Sequence, residues 1–438
     1  MTKLNSQNLP LTGIRVLELS EIWAGPYCGC LLGDMGAEVI KIESIQRIAR
    51  GPLNPPEGAA QYPDGYPSDE PWNRFAIFNA TNRNKKALTL DLKTLKGREA
   101  FKKLAAMSDI ILCNYARTVM GNFQLSYEEI YKINPKIIYM LMPGYGTTGP
   151  YKDYRSMGMA VDAVSGHTFQ RGYPELPQSS NSVVHHPDAV AAINGTFALT
   201  TALIQRENTG EGQLIDLSQS ESFMTHMGNM YLEEQMNESG IKRKGNRSTE
   251  YAPQGVYKCL GDDKWVSMSI LTDQQWDLLA ELIDPNLVNN QKYDSKIKRL
   301  DNHDELDTII TEWTSKLDNY DVMNQLQAIG IPAGAVLNCG PDTYDDPHLN
   351  ARNFFQIVEN PTTGIYPMSG PVIRFQNSST EIIHNPAPSL GEHNEYILKD
   401  ILDYSDAEVK ELEKLEIIGK TPLLGSDMGG SRRLESKS

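Results

Sequence analysis

The first part of the chain alternates between strand-like and helix-like patterns of apolar residues. GIRVLEL (13–19) is an apolar, β-branched run after a turn glycine, which is typical of a buried strand. PYCGCLLGDMGA (26–37) has a helical pattern and EVIKIE (38–43) is again strand-like. A strand, a helix and a strand within about 30 residues predict a βαβ unit with parallel strands.

The same alternation continues to about residue 218. It predicts further strands and helices in turn, at 85–92, 95–107, 109–115, 127–134, 137–146, 189–206 and 213–218. Repeated βα units predict an α/β fold in which helices cover both faces of a mostly parallel sheet. We therefore expect a large Rossmann-like, doubly wound domain.

The pattern changes after about residue 225. VYKCLGDDKWVSMSI (256–270) predicts a hairpin that turns at 261–263, and short helical patterns follow to about 329. We therefore expect a smaller α/β domain inserted between two parts of the larger one. The expected divisions are a large-domain part, an inserted domain with linkers, a returning part and a frayed tail, at 1–225, 226–345, 346–420 and 421–438.

Composition and charge narrow the classes of partner. The formal net charge is −15, which argues against nucleic acid or an anionic membrane as a partner. No basic and apolar leader opens the chain, no run of 18 apolar residues occurs, and the five cysteines form no CxxC pair. We expect a cytoplasmic protein with free thiols.

The first βαβ unit suggests a dinucleotide site, but its glycines do not fit one. Gly25, Gly29 and Gly33 are spaced by four and form no GxGxxG motif, although Glu43 ends the second predicted strand. Glycines at this spacing lie on one face of a helix and allow close packing. We therefore predict packing glycines and no NAD.

A cluster of basic side chains in ATNRNKKALTLDL (80–92) has two interpretations. Arg83, Lys85 and Lys86 stand together at the entrance of a predicted strand in a chain that is acidic overall. They form either a solvated strand entrance or a clamp for phosphates.

HHPDAV (185–190) places Asp188 at the start of a long helix of small and apolar residues. Aspartate is among the best helix N-caps, so a capping role explains this residue locally. The helix start would also lie beside the ligand edge of the sheet, where backbone N–H groups stabilise an anion. His185 and His186 point to opposite faces and lack a third partner at ligand spacing, so no metal is predicted.

Nearly the whole chain resembles the class III CoA-transferases, a family that includes formyl-CoA, carnitine and benzylsuccinate CoA-transferases. The resemblance rests on the order and coverage of several matching stretches rather than on one motif. These stretches are LTGIRVLELSEIWAGPYCGCLLGDMGAEVIKIE (11–43), NRNKKALTLDLKTLKGREAF (82–101), NPKIIYMLMPGYGTTGP (134–150), ALIQRENTGEGQLIDLSQSES (202–222), GIPAGAV (330–336), DDPHLNARNFF (345–355) and APSLGEHNEYIL (387–398).

The resemblance implies a catalytic aspartate and a coenzyme A site. The family nucleophile lies about 18 residues before the arginine of an R-x-x-TG-x-GQ segment, which is Arg206 here, so the role falls on Asp188. By position, the implied coenzyme A contacts are Ile22, Trp23, Ala24, Asn82, Arg83, Asn84, Lys85, Asn114, Tyr115 and Arg117. The implied substrates are an acyl-CoA and a carboxylic acid, and the implied assembly is an interlocked homodimer.

The sequence departs from the formyl-CoA branch at several positions. Pro143 replaces a lysine, Asn122 an arginine, Arg117 a proline, and GNRSTEYAPQGVY (245–257) the mobile glycine-rich loop. These departures argue against formyl-CoA and oxalate as substrates and leave the shielding of the site from water open.

Two other functions are compatible with the same fold. A 2-methylacyl-CoA racemase would need a histidine where Met157 stands, which leaves His167, His185 and His186 as the conceivable substitutes. A non-catalytic subunit of a hetero-oligomeric transferase would lack the aspartate. Trp23, Tyr115, Tyr145 and the segment 157–164 would suit a moderately large apolar or aromatic acid, but such residues are more often core.

Overall fold

The computed structural model describes residues 9–182, 184–237, 240, 242–378, 381–423 and 425. The predicted tail, 421–438, lies outside the described residues except at 421–423 and 425. The strands are β1 (Arg15–Leu19), β2 (Glu38–Glu43), β3 (Lys85–Thr89), β4 (Ile110–Cys113), β5 (Ile138–Leu141), β6 (Gln213–Asp216), β7 (Gln254–Lys258), β8 (Trp265–Ser269), β9 (Ala333–Val336), β10 (Phe355–Asn360) and β11 (Gly364–Ser369).

The helices include one π-helix, at Tyr396–Ile401. The α-helices are α1 (Ala24–Asp34), α2 (Pro71–Arg74), α3 (Ala76–Thr81), α4 (Leu95–Ala106), α5 (Val119–Asn122), α6 (Tyr127–Tyr131), α7 (Gly158–Val164), α8 (His167–Gln170), α9 (His186–Thr209), α10 (Gln219–Met224), α11 (Gly228–Met236), α12 (Asp273–Ile283), α13 (Lys296–Asp301), α14 (His303–Thr314), α15 (Asn319–Ala328), α16 (Pro341–Tyr344), α17 (Pro347–Ala351) and α18 (Asp406–Lys414). Short 3₁₀ turns lie at Pro63–Gly65, Gln178–Ser180, Thr225–Met227 and Pro285–Leu287.

The larger sheet has six strands in the order β3-β2-β1-β4-β5-β6, and every neighbouring pair is parallel. The central β1 pairs Leu17 with Ile40 on one side and with Ile111 on the other. The α/β prediction is therefore confirmed, and each predicted strand of this sheet is present. The order reverses between β1 and β4, which is the switch point where open α/β sheets bind ligands.

Apolar cores lie on both faces of this sheet, because parallel strands between helices bury both of their faces. One core contains α4 residues such as Phe101 together with Ile397 of the π-helix and Leu412 of α18. The other contains Cys28 of α1 and Leu199 of α9. The chain after β11 thus returns to the sheet and completes one of its helical layers.

The described residues form two compact units. One comprises 9–167, 184–232 and the residues from 351 onward; the other comprises 168–182 and 233–350. The inserted domain predicted from the sequence spans 226–345 and does not include 168–182. That segment is polar, and it belongs to the second unit through contacts distant in the chain. One of them is the hydrogen bond that Arg243 Nη1 donates to the Leu176 carbonyl at 2.8 Å.

The second unit is built on an antiparallel sheet in the order β7-β8-β9. The pairing of β7 with β8 confirms the predicted hairpin. Helices α12, α14 and α15 cover this sheet and bury Trp276, Ile310 and Leu326 in its core.

Candidate active site

A cavity of about 720 Å³ lies at the carboxyl-terminal edge of the six-stranded sheet. Its lining comes from the segments that follow the strands, including 20–22 after β1, 90–93 after β3, 114–116 after β4 and 143–145 after β5. Asp188 lines the same cavity. The strand order therefore places the predicted nucleophile in the ligand crevice of the fold.

Asp188 lies in the first turn of α9, whose N-cap is His185. The capping interpretation of Asp188 is therefore wrong, because Asp188 is the third residue of the helix and His185 occupies the N-cap position. The residue is 6% exposed. Burial raises the pKa of its carboxyl group, while the nearby His185 and the backbone N–H groups of Asp188 and Ala24 act to lower that pKa.

Gly158, the first residue of α7, packs directly against this carboxylate. A Cβ atom on residue 158 would lie 2.2 Å from Asp188 Oδ2, which is far inside van der Waals contact. Ala24, whose N–H acts on the same carboxylate, is the first residue of α1. The Asp188 side chain is thus held between the starts of three helices, whose positive dipole ends favour an anion.

The loop after β1 has a strained conformation. Ile22 has a φ of +67°, which is unusual for a β-branched side chain and costs about 1–3 kcal/mol. Asn114 holds the loop from the end of β4: its Oδ1 accepts from the Glu21 N–H at 2.9 Å and its Nδ2 donates to the Glu21 carbonyl at 2.8 Å. Ile22 and Asn114 both line the cavity.

A buried charge network lies beneath this loop. Glu18 of β1 is fully buried, and Lys41 Nζ donates to its Oε1 at 2.8 Å while Lys85 Nζ lies 2.7 Å from its Oε2. Lys41 also donates to the Ser20 carbonyl at 2.9 Å, and Lys85 donates to the Pro26 carbonyl at 2.7 Å. The two lysines therefore tie both ends of the loop to one carboxylate.

The glycines of α1 have the predicted packing role. A Cβ at Gly29 would lie 1.9 Å from Glu18 Oε2, and one at Gly25 would lie 2.5 Å from Ser20 Cβ. Glu43 pairs with the buried Arg50, with 2.6 Å between Oε2 and Nη2, so its carboxylate already has a structural partner.

The predicted coenzyme A contacts separate into two groups. Ile22, Asn114 and Tyr115 line the cavity, and Trp23 and Ala24 follow directly at the start of α1. Trp23 stacks on His185, with 6.1 Å between ring centroids and 10° between ring planes.

The other group of predicted contacts makes internal interactions instead. Arg83 Nη2 pairs with buried Asp34 Oδ2 at 2.6 Å, Asn84 Nδ2 donates to Asp34 Oδ1 at 2.9 Å, and Asn82 Oδ1 accepts from Lys85 Nζ at 2.8 Å. Burial lowers the pKa of Lys85 to about 8, against the opposing effect of Glu18.

Arg117 also pairs within the protein, with 2.7 Å between its Nη2 and Asp153 Oδ1. None of Asn82, Arg83, Asn84, Lys85 and Arg117 is among the described residues that line the cavity.

The histidines near Asp188 have partners of their own. His167 Nδ1 lies 2.7 Å from Asp162 Oδ1, and its ring contacts those of His186 and Phe223 at centroid distances of 5.8 and 5.1 Å. Among the residues that the structure describes, no group of three or more His, Cys, Asp or Glu side chains is arranged to hold a metal ion.

Five basic residues line the cavity that were not singled out from the sequence, namely Lys41, Arg47, Lys93, Lys152 and Arg155. Arg47 and Lys93 lie just beyond β2 and β3, so the rule that ligands bind at strand ends could have indicated them. The contact between Gly158 and Asp188 had no signal in the sequence.

The site thus has a buried carboxylate in the ligand crevice of an α/β fold, and comparison with known proteins agrees with the resemblance. The model of CoA-transferase family III matches residues 11–394. The chain belongs to this family.

Known relatives extend the comparison over almost the full length. The chain is 30% identical over 412 residues to the succinyl-CoA–L-malate CoA-transferase beta subunit of Chloroflexus aurantiacus, covering 94% of this chain and 98% of that one. It is 30% identical to human succinyl-CoA:glutarate CoA-transferase, covering 92% and 88% of the two chains. A solved CAIB/BAIF family protein from Brucella suis matches with a TM-score of 0.78 and 29% identity, covering 90% of this chain and 100% of that one.

In the part of the chain that the structure describes, no helix is both long enough and apolar enough to span a bilayer.

Proposed function

We propose that this enzyme moves coenzyme A from an acyl-CoA donor to a free carboxylic acid, with Asp188 as the covalent nucleophile. The observation that supports this most strongly is the position of Asp188, a nearly buried carboxylate that lines the cavity at the sheet's switch point. Covalent catalysis divides one difficult exchange into easier steps.

The proposed course begins when an Asp188 oxygen attacks the thioester carbonyl carbon and the C–S bond breaks. This forms a mixed aspartyl anhydride and coenzyme A thiolate. The thiolate attacks the Asp188 carbonyl carbon, breaks the anhydride C–O bond and releases the donor acid as its carboxylate. The acceptor carboxylate then attacks the resulting Asp188 thioester, and the same two steps in reverse order release the new acyl-CoA and free Asp188. No net proton is consumed.

The surroundings of Asp188 suit these steps. The backbone N–H groups at the starts of α1 and α9 can stabilise the negative oxygen that develops on an attacked carbonyl. Burial of the side chain keeps water from the anhydride, whose hydrolysis would waste the thioester.

The cavity offers a course for coenzyme A along the sheet edge. Arg47 and Lys93, beyond β2 and β3, are placed to meet its phosphates, and the pantetheine would pass Ile22 and Asn114 on the way to Asp188. We retain Trp23, Ala24 and Tyr115 as proposed contacts. For Arg83 and Lys85 the buried ion pairs favour a supporting role instead.

We further propose that the enzyme is an interlocked homodimer. Helix α9 buries one face on the sheet but exposes Ile193, Phe197 and Ile204, at 55%, 71% and 66%. Large exposed apolar side chains on one face mark protein interfaces. The relative from Chloroflexus is named as a beta subunit, so activity of the purified single chain separates a homomeric enzyme from one half of a hetero-oligomer.

The proposal is tested with purified protein and a panel of acyl-CoA donors and acceptor acids. Succinyl-CoA with glutarate or malate comes first, because two relatives are named for these compounds. Transfer that is lost in Asp188→Ala supports the proposal, and full transfer by that variant would overturn it. Deuterium exchange at the α-carbon of a branched acyl-CoA in D₂O, without transfer, would indicate a racemase instead.

A further inference from the structure

Five basic side chains line the cavity, and one of them, Lys41, pairs with Glu18. The other four lie in two segments of the chain. Arg47 and Lys93 follow β2 and β3, whereas Lys152 and Arg155 follow β5. In the strand order, β2 and β5 are separated by β1 and β4. Three spacings of about 4.8 Å put the ends of β2 and β5 about 14 Å apart along the sheet edge.

The two groups also differ in their partners. Arg47 pairs with Glu21. Asp153, the acid between Lys152 and Arg155, pairs with Arg117. Within the described ranges, Lys152 and Arg155 have no acidic partner, so this end of the cavity carries two uncompensated positive charges.

Close contacts fix the segment that carries these charges to the end of β5. Tyr154 stacks on Tyr151 at 4.8 Å between centroids and meets Tyr145 edge-on at 6.5 Å. A Cβ on Gly144 would lie 1.8 Å from Ser156 Oγ, so the backbone after β5 closely contacts residue 156.

The same segment leads directly to the nucleophile. Gly158, three residues after Arg155, lies against the Asp188 carboxylate. Three residues span at most about 11 Å, so the backbone of Arg155 lies near Asp188, and Lys152 lies three residues further back along the chain.

We propose that Arg155, assisted by Lys152, forms an anion subsite for the second carboxylate of a dicarboxylic acid. The inference rests on the proposed transferase function and narrows its substrates to dicarboxylic acids and their mono-CoA thioesters. A guanidinium group suits this role because it binds a carboxylate through two parallel hydrogen bonds. A chain of net charge −15 needs such a local cluster to retain a substrate with two negative charges.

The phosphates of coenzyme A are an alternative anion for this subsite. The proposed course of coenzyme A argues against them, because it puts the phosphates a pantetheine length from Asp188, beside Arg47 and Lys93. A dicarboxylic acid also differs from the moderately large apolar or aromatic acid that the sequence suggested as a substrate.

The test compares a dicarboxylic with a monocarboxylic substrate of similar length. The wild type, Arg155→Gln, Arg155→Lys and Lys152→Gln are assayed with succinyl-CoA and glutarate, and with butyryl-CoA and valerate. Arg352→Gln is the matched control, because Arg352 is an exposed arginine that does not line the cavity. The coenzyme A adduct on Asp188 is measured in parallel by mass spectrometry.

We compare kcat/KM for the dicarboxylic pair with kcat/KM for the monocarboxylic pair. We expect Arg155→Gln to lower the ratio of the first to the second at least tenfold, mainly by raising KM for the dicarboxylic substrates. Arg155→Lys should restore part of the ratio, Lys152→Gln should lower it less, and Arg352→Gln should leave it unchanged. An unchanged ratio in Arg155→Gln would overturn the subsite. An equal rise in KM for both thioesters would also overturn it and assign Arg155 to a coenzyme A phosphate. Absence of transfer and of any Asp188 adduct in the wild type would instead refute the proposed function.

Discussion

The Asp188 carboxylate occupies the space that a side chain on residue 158 would need. A Cβ at Gly158 would lie 2.2 Å from Asp188 Oδ2 and 3.3 Å from its Cγ. The aspartate side chain is short, so it can avoid such an atom only by rotating away from the position that it has in the cavity.

We therefore expect Gly158→Ala to reduce kcat about a hundredfold, since a displacement of about 1 Å can cost that much. Steady-state kinetics with the best donor and acceptor provide the measurement. Gly121→Ala is the control, because a Cβ on Gly121 would have no neighbouring atom within 4 Å and the residue lies outside the cavity lining. A fully active Gly158→Ala enzyme would contradict the described placement of Asp188.

Replacing Asp188 by asparagine should stabilise the fold at neutral pH. Burial raises the pKa of this carboxyl group in the folded protein, so the folded state binds its proton more tightly than the unfolded state. The protonated Asp188 side chain therefore stabilises the fold fully at a pH below the pKa that it has in the unfolded chain. This stabilisation is lost as the pH rises through the pKa that it has in the folded protein.

Thermal unfolding should therefore show a higher Tm for Asp188→Asn than for the wild type at pH 7, with the difference shrinking in acid. Asp277→Asn, on the exposed side of α12, should not change the Tm. A lower Tm for Asp188→Asn at pH 7 would mean that the carboxylate is a stabilising group rather than a strained one.

The buried network of Glu18, Lys41 and Lys85 should stabilise the folded protein as well as hold the loop after β1 in place. Glu18→Gln leaves two buried lysines without a countercharge, and breaking a buried pair costs about 3–5 kcal/mol. Urea denaturation should show a clearly lower midpoint, whereas Glu129→Gln, in the exposed pair with Lys132, should leave it unchanged. Equal midpoints for the two variants would show that the network contributes no net stability.

Thiol titration measures how many of the five cysteines are accessible in the folded protein. Cys28, Cys30, Cys113 and Cys259 are buried and Cys339 is exposed. Burial raises the pKa of Cys28, Cys30 and Cys113 to about 12. The native protein should react with one equivalent of Ellman's reagent at pH 8 and the denatured protein with five; fast reaction of a second native thiol would contradict the buried assignment.

The sequence predicted those features that depend on local pattern. The strand EVIKIE (38–43) matches β2 residue for residue, because its β-branched Val39, Ile40 and Ile42 favour a buried strand. Local pattern alone favoured a cap at Asp188; the resemblance to the CoA-transferase family selected it as the nucleophile, and it lines the cavity.

Features that depend on contacts distant in the chain were not predictable in the same way. The basic segment at 82–85 fitted a phosphate clamp in the sequence, yet Arg83 and Lys85 pair with Asp34 and Glu18, which lie far back along the chain. The contact of Gly158 with Asp188 spans a polar loop, and no pattern in either segment signals the other.

The proposed mechanism requires that Asp188 carries coenzyme A covalently during transfer. The direct measurement is mass spectrometry of protein incubated with the best acyl-CoA donor, quenched and digested with trypsin. We predict that the peptide 172–206 gains the mass of coenzyme A minus water, with fragmentation placing it on Asp188 rather than on Glu175, and that Asp188→Ala shows no adduct. An adduct on another residue would contradict this mechanism. So would a wild type that transfers coenzyme A without any adduct, together with an Asp188→Ala variant that keeps its transfer activity.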